Sequence, residues 1–245
     1  MSLNQPIGSS IIEFEQLDST NNYAMQLANE GNAEHGTTII AQHQTKGKGQ
    51  QGKTWTAAKE KNLLMSFILD TSHKEITSQF LLNAACCTAV AHLLMEDMQI
   101  ADVSIKWPND LYVGKKKIAG ILIENIIRGQ QWKYAIVGIG LNVNQLEFPI
   151  GLSATSLQRL VNKIVDISFL RKKIFKRLNK AYQQYQENAT AVLTEYNSLL
   201  YSYQNRISFI KNSEIKTGTL KGTDATGLLT IDENEYRHGE IQIIL

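Results

Sequence analysis

Between residues 103 and 143 the sequence is a succession of apolar, strand-like runs joined by turns too short to hold a crossover helix. The run 103–107 is broken by Pro108-Asn109-Asp110, and 111–113 is joined to 118–127 across Gly114-Lys115-Lys116, a hairpin signal. Residues 132–143 return as another strand through a Gly138-Ile139-Gly140 step. Strands joined this tightly pair antiparallel, because parallel pairing needs a connection of roughly a dozen residues or more. Upstream, Phe80, Leu81, Ala84, Ala85, Val90 and Leu94 give residues 78–98 a wide apolar face, which predicts a long helix packed on the sheet. The expected class is α+β, a mixed and mostly antiparallel sheet flanked by helices.

The rest of the chain fits around that centre. Residues 11–15 read as a strand; Asp18, Ser19 and Thr20 then offer caps to a helix running through Ala28 and closed by Gly31. Residues 37–42 and 63–69 are β-rich, and 168–201 are helical and amphipathic. Beyond Asn205 the pattern changes to short segments at 207–210, 214–220, 228–231 and 240–245, punctuated by Gly222, Asp224, Gly227 and Gly239. That spacing suggests a small C-terminal β-barrel, so the expected division is 1–204 and 205–245.

Charge and cysteine content narrow the function classes. With 25 Lys+Arg against 23 Asp+Glu in 245 residues the formal charge is +2, too even for a broad nucleic-acid-binding face. No apolar run reaches ten residues, so no segment is expected to span a bilayer, and the N-terminus lacks a secretory pattern. Cys86 and Cys87 are adjacent, with neither metal-ligand spacing nor the number for a disulfide framework, as expected of reduced core thiols in a cytoplasmic protein. The five histidines show no metal-ligand spacing and receive no role.

Gly47-Lys48-Gly49-Gln50-Gln51-Gly52-Lys53-Thr54 satisfies the letter pattern of a phosphate-cradling P-loop. A P-loop also needs a substantial helix directly after its lysine, and Trp55 to Asn62 contains one large apolar side chain in eight. Such a helix would bury almost nothing. The better reading is a flexible cationic lid whose glycines admit an anion, whose Lys48 and Lys53 attract it, and whose Trp55 stacks on a planar ligand.

Taken together, Ser19-Thr20-Asn21, Gln44, the loop at 47–55, Lys106-Trp107-Pro108-Asn109-Asp110-Leu111, Lys117-Ile118-Ala119-Gly120-Ile121-Leu122-Ile123-Glu124 and Gly138-Ile139-Gly140-Leu141-Asn142-Val143-Asn144 resemble the biotin–protein ligases in order and spacing. The match covers nearly the whole chain. It implies a synthetase-like catalytic fold with a small β-domain, and an enzyme that activates biotin with ATP and Mg²⁺ as biotinyl-5′-AMP. The acyl group then passes to a lysine of a biotin carboxyl carrier protein. Two anions must meet in the first step, so positive charge is needed more than an enzyme nucleophile.

By that resemblance Ser19, Thr20, Asn21, Gln44, Lys48, Gly49, Gln50, Lys117 and Gly120 contact biotin. Gly47, Lys48, Gly52, Lys53, Trp55, Asn109 and Asn142 contact ATP or the adenylate. Lys117 is the expected catalytic charge, and Asp110 either orients it or helps hold Mg²⁺. For an isolated Ser-Thr-Asn, plain helix capping is the ordinary explanation. Three departures stand out. The loop carries Lys48, Gln50, Gln51 and Lys53 where the family is arginine-rich, so weaker retention of the adenylate is expected. The Ser19 site begins near residue 1, which with the balanced charge predicts a monofunctional ligase with no DNA partner and no membrane, a monomer or weak homodimer. The closing strand, Gly239-Glu240-Ile241-Gln242, ends without an arginine that some relatives carry. A lipoate or octanoyl ligase of the same fold and a non-catalytic biotin-binding regulator are the alternatives; the lipoate-type R-R-x-x-G-G-G signature is missing.

Overall fold

The structure, a computed structural model, describes residues 5–245. Seven strands form the main sheet: β1 (Ile11–Leu17), β2 (Thr38–Gln44), β3 (Asn62–Asp70), β4 (Val103–Lys106), β5 (Asp110–Val113), β6 (Lys116–Arg128) and β7 (Gln131–Asn142). Their order is β1-β2-β3-β7-β6-β5-β4, and every neighbouring pair is antiparallel except β1 with β2. Helix α1 (Thr20–Asn29) is the crossover between those two parallel strands. The sheet is thus mixed and mostly antiparallel, as the hairpin spacing predicts.

Side chains alternate across each strand, and the two faces carry separate cores. On one face Ile39, Ile68, Tyr134 and Ile136 pack under Ala24 and Ala28 of α1. On the other, Ile40, Phe67, Leu69 and Val137 pack under α2 (Gln79–His92), α4 (Ile167–Glu187) and α5 (Ala189–Ser198). The short α3 (Leu157–Val161) precedes α4. Helix α2 is buried along most of its length and loosens into a π-helical turn at Leu93–Asp97. Counted from Ile76 to Asp97 it is long and apolar enough to cross a membrane, which corrects the expectation that no segment is; 72% of its most apolar stretch is buried inside the fold. It is the core helix of this domain.

The expected single helical stretch at 168–201 is two helices. Asn188 ends α4 and caps α5, its Oδ1 accepting from Ala191 N at 3.0 Å. The C-terminal strands β8 (Arg206–Lys211), β9 (Glu214–Thr223), β10 (Leu229–Ile231), β11 (Asn234–Tyr236) and β12 (Gln242–Ile244) form one antiparallel sheet, ordered β11-β10-β9-β8-β12. Among the described residues no ladder joins β11 to β12, so the five strands are an open sheet where a closed barrel was expected. Ile207, Phe209, Leu220 and Leu229 of this sheet belong to the same core as α2.

Candidate functional site

The parity that separates the two cores also builds the site. Continuing along the α1 face beyond Ile68 and Ile136, the same-side residues are Ser66 on β3, Gly138 and Gly140 on β7, and Gly120 and Glu124 on β6. Ser66 is paired with Gly138, and Gly140 with both Leu64 and Gly120. A strip of glycines therefore replaces the apolar floor beside α1, and over it opens a cleft of about 650 Å³.

At one end the cleft meets the N-terminus of α1. Ser19, Thr20 and Asn21 line it and are each at least nine-tenths buried. Ser19 stands at the cap position, yet its side chain makes no capping bond. Gln44 from β2 takes that place: its Oε1 accepts from Thr20 N at 2.7 Å and from Thr20 Oγ1 at 3.0 Å. Plain capping therefore does not account for Ser19, whose hydroxyl stays available to the cleft. Asn21 Nδ2 donates to Glu124 Oε2 at 2.8 Å, and a Cβ on Gly138 would overlap Asn21 Oδ1. Only glycine leaves room for that asparagine.

The middle is covered by the loop after β2. Trp55 N donates to Gly47 O at 2.9 Å and Gly49 N to Lys53 O at 2.7 Å, which folds the loop back on itself around a short turn at Gln50–Gly52. No helix follows Lys53, so the P-loop letters do not make a P-loop here. The Trp55 ring lies on the glycine strip, where a Cβ on Gly140 would come within 2.5 Å of it and one on Gly120 within 3.2 Å. Lys48, Gly49, Gln50 and Lys53 line the cleft, and Lys48 Nζ reaches Glu124 Oε1 at 3.0 Å. Gly47 and Gly52 do not line it. Gly47 is packed behind the loop against the Trp55 carbonyl, and Gly52 is an exposed turn residue at φ +74°. Both shape the turn of the loop that brings Lys48 and Lys53 to the cleft.

The far end is cationic. Lys117 sits where the β5–β6 pairing is irregular, a bulge that re-aims a side chain, and its Nζ lies 2.6 Å from Asp110 Oδ1 and 5.4 Å from the Trp55 ring centroid. Its backbone is bonded on both sides to the chain at Ser153 and Thr155. Lys106 also lines the cleft; burial holds its pKa below the ordinary lysine value, opposed by Asp110 and reinforced by Lys117 and Lys53. An anion arriving here would relieve that crowding of positive charge. The turn between β4 and β5 is fixed from three elements. Asn83 Nδ2 of α2 and Tyr196 Oη of α5 donate to Pro108 O at 2.9 and 2.7 Å, and Trp107 Nε1 donates to Gly227 O of the C-terminal sheet at 3.1 Å. The Trp107–Pro108 bond is cis.

Asn109 and Asn142 line the cleft, but each has a backbone partner: Asn109 Nδ2 donates to Ile121 O, and Asn142 Nδ2 to Thr155 O at 3.0 Å. Lys106 and His238 also line the cleft, and Ser66 and Glu124 stand behind it, bonded to Asn21; sequence reasoning gave none of the four a site role. Lys106 and Glu124 had a signal, Lys106 as the residue opening the Lys-Trp-Pro-Asn-Asp run and Glu124 as the residue closing the run that begins at Lys117.

A polar corner at a helix N-terminus, a glycine floor under a tryptophan, and a lysine end define a ligase-type fold, and residues 13–142 match the model of the Biotin/lipoate A/B protein ligase family. The chain belongs to that family. It is 31% identical over 238 residues to the bifunctional ligase/repressor BirA of Bacillus subtilis, covering 94% of this chain and 71% of that one. To the biotin–[acetyl-CoA-carboxylase] ligase of Mycobacterium tuberculosis it is 25% identical, covering 89% and 81%. The biotin protein ligase of Aquifex aeolicus, solved with biotin and ATP, superposes with a TM-score of 0.79 at 28% identity, covering 96% of this chain and 98% of that one.

Proposed function

We propose that the chain is an ATP-dependent biotin–protein ligase that acts on a biotin carboxyl carrier protein. The observation that carries this is the single cleft in which the uncharged donors and acceptors around Ser19 and Gln44 are joined, across the Trp55–glycine strip, to Lys106 and Lys117. A urea-containing bicyclic ring suits the first end and an anion the second. A dithiolane ring, having no hydrogen-bonding groups, would leave the Ser19 hydroxyl of this corner without a partner, which argues against lipoate.

In the first step a carboxylate oxygen of biotin bonds to the α-phosphorus of ATP as the bond to the pyrophosphate oxygen breaks. Two unit charges about 4 Å apart repel by about 4 kcal/mol at an effective dielectric near 20, and Lys117 and Lys106 are placed to offset it. In the second step the acceptor amine attacks the acyl carbon, AMP leaves, and a proton is released. Orientation in one cleft supplies much of the remaining acceleration. Mg²⁺ accompanies the nucleotide phosphates. Among the described residues there is no cluster of three or more acidic, His or Cys side chains to hold it, so Asp110 fits as a lone protein carboxylate beside phosphate ligands.

The same reading makes 1–204 the catalytic body and 205–245 a small cap of five strands in an open sheet, in a cytoplasmic enzyme that is a monomer or weak homodimer. Biotin-dependent exchange of labelled pyrophosphate into ATP tests the activity. Exchange with biotin and none with lipoate is expected; ATP hydrolysis that ignores biotin would overturn the reading.

A further inference from the structure

Two side chains at the polar corner have no part in the ligand contacts expected from the sequence. Ser66, buried on β3, places Oγ 2.5 Å from Asn21 Oδ1 and 2.6 Å from Thr20 Oγ1. Glu124 on β6 accepts from Asn21 Nδ2 at 2.8 Å through Oε2 and from Lys48 Nζ at 3.0 Å through Oε1. The Asn21 amide is therefore held at both ends, and the ends are not equivalent. A serine hydroxyl donates or accepts, so it suits either face of an amide. An ionised carboxylate only accepts, so it takes the NH₂ and rejects the amide oxygen. The direction of the Asn21 amide is set by Glu124.

We propose that Glu124 is a positioning residue of the biotin site. Through one oxygen it fixes Asn21 as a donor toward the cleft, and through the other it seats Lys48, so one carboxylate ties ring recognition to loop placement. This deepens the ligase reading and rests on it. The ligand group that suits a fixed N–H donor is an acceptor, such as a urea oxygen. In 2-iminobiotin that oxygen is replaced by nitrogen that carries hydrogen, and the locked amide disfavours it. Removing the charge on Glu124 frees the amide to turn and the loop to leave.

Glu124→Gln keeps length and shape while allowing Asn21 either orientation. The full chain and the variant are titrated calorimetrically with biotin, 2-iminobiotin and ATP, and cleavage after Lys48 by trypsin is timed without ligand. Biotin affinity is expected to fall about tenfold, the preference for biotin over 2-iminobiotin to shrink about as much, and ATP affinity to change less than about twofold. Cleavage after Lys48 should accelerate. An unchanged biotin-to-iminobiotin preference in the folded variant overturns the positioning role, whatever happens to overall affinity. Should Glu124→Gln fail to fold, Glu124→Asp, which keeps the charge but withdraws it by one methylene, is judged by the same ratio. Absence of biotin binding in the unaltered chain would instead remove the ligase reading itself.

Discussion

A single added carbon at Gly138 would do more damage than most changes in the cleft. Its Cβ would overlap Asn21 Oδ1, inside a corner where neither Ser66 nor Glu124 lets the asparagine move freely. Gly138→Ala is expected to weaken biotin binding by at least about tenfold and to destabilise the fold by about 1–3 kcal/mol, read by calorimetric titration and chemical denaturation. Lys117→Met addresses the other end. Loss of a charge aimed at the reacting phosphate should cut pyrophosphate exchange about 10²–10³-fold while the melting temperature stays within a few degrees. Gln50 lines the cleft where the family loop carries an arginine. Gln50→Arg is therefore expected to slow release of biotinyl-AMP, measured by trapping the free adenylate with an added amine. Most of the predicted residues that line the cleft were legible because they stand in contiguous motifs. Ser66 was not, since a serine inside an apolar strand carries no local signal, and Glu124, though it closes the run that begins at Lys117, had nothing beside it in sequence to assign it a role. Only the register of β3, β6 and β7 brings them to Asn21.

The turn between β4 and β5 depends on elements far from it in sequence. Tyr196 of α5 donates to Pro108 O at 2.7 Å, and burial keeps its phenol protonated, well above the ordinary tyrosine range. Tyr196→Phe removes that bond alone, since Asn83 still donates to the same oxygen. A stability loss of about 1 kcal/mol is expected, together with a fall in exchange rate but little change in biotin affinity, because the displaced group is the lysine end. Element boundaries were mostly readable from periodicity. The break at Asn188 was not, because asparagine within an amphipathic run looks like a polar-face residue until its side chain is seen capping α5. Nor was the parallel pairing of β1 with β2: the α1 crossover between them is short, and nothing in the two strands distinguishes a parallel partner from an antiparallel one. The open C-terminal sheet has the same origin, since short alternating segments specify strands but not whether the first and last of them meet.

At the scale of the molecule, the C-terminal sheet and the main domain share one core, with Ile207, Phe209 and Leu229 in the same cluster as Leu82 and Val90. A chain ending at residue 204 is expected to lose its single cooperative unfolding transition, not merely affinity for ATP. Acid acts on the whole fold as well. His35, His73 and His238 all have pKa values held below the ordinary 6.5, but only His35 is buried, the other two being exposed to solvent, so His35 carries most of the effect. The unfolded chain thus binds more protons than the folded one between those lowered values and 6.5, and stability present at neutral pH is lost as pH falls below about 6.5. The melting temperature should decline between about pH 7.5 and 5.5, with His35→Gln flattening the decline.

The tryptophan on the glycine strip has a spectroscopic consequence. Of the three indoles, Trp107 donates to Gly227 O at 3.1 Å and Trp132 to Asn125 Oδ1 at 3.0 Å, so both are tied to the body of the fold. Trp55 alone has a buried Nε1–H without a partner among the described residues, on a loop that borders the cleft. Trp107 also lines the cleft, so stopped-flow emission of a Trp107→Phe variant would isolate Trp55 and clock the loop with no label attached.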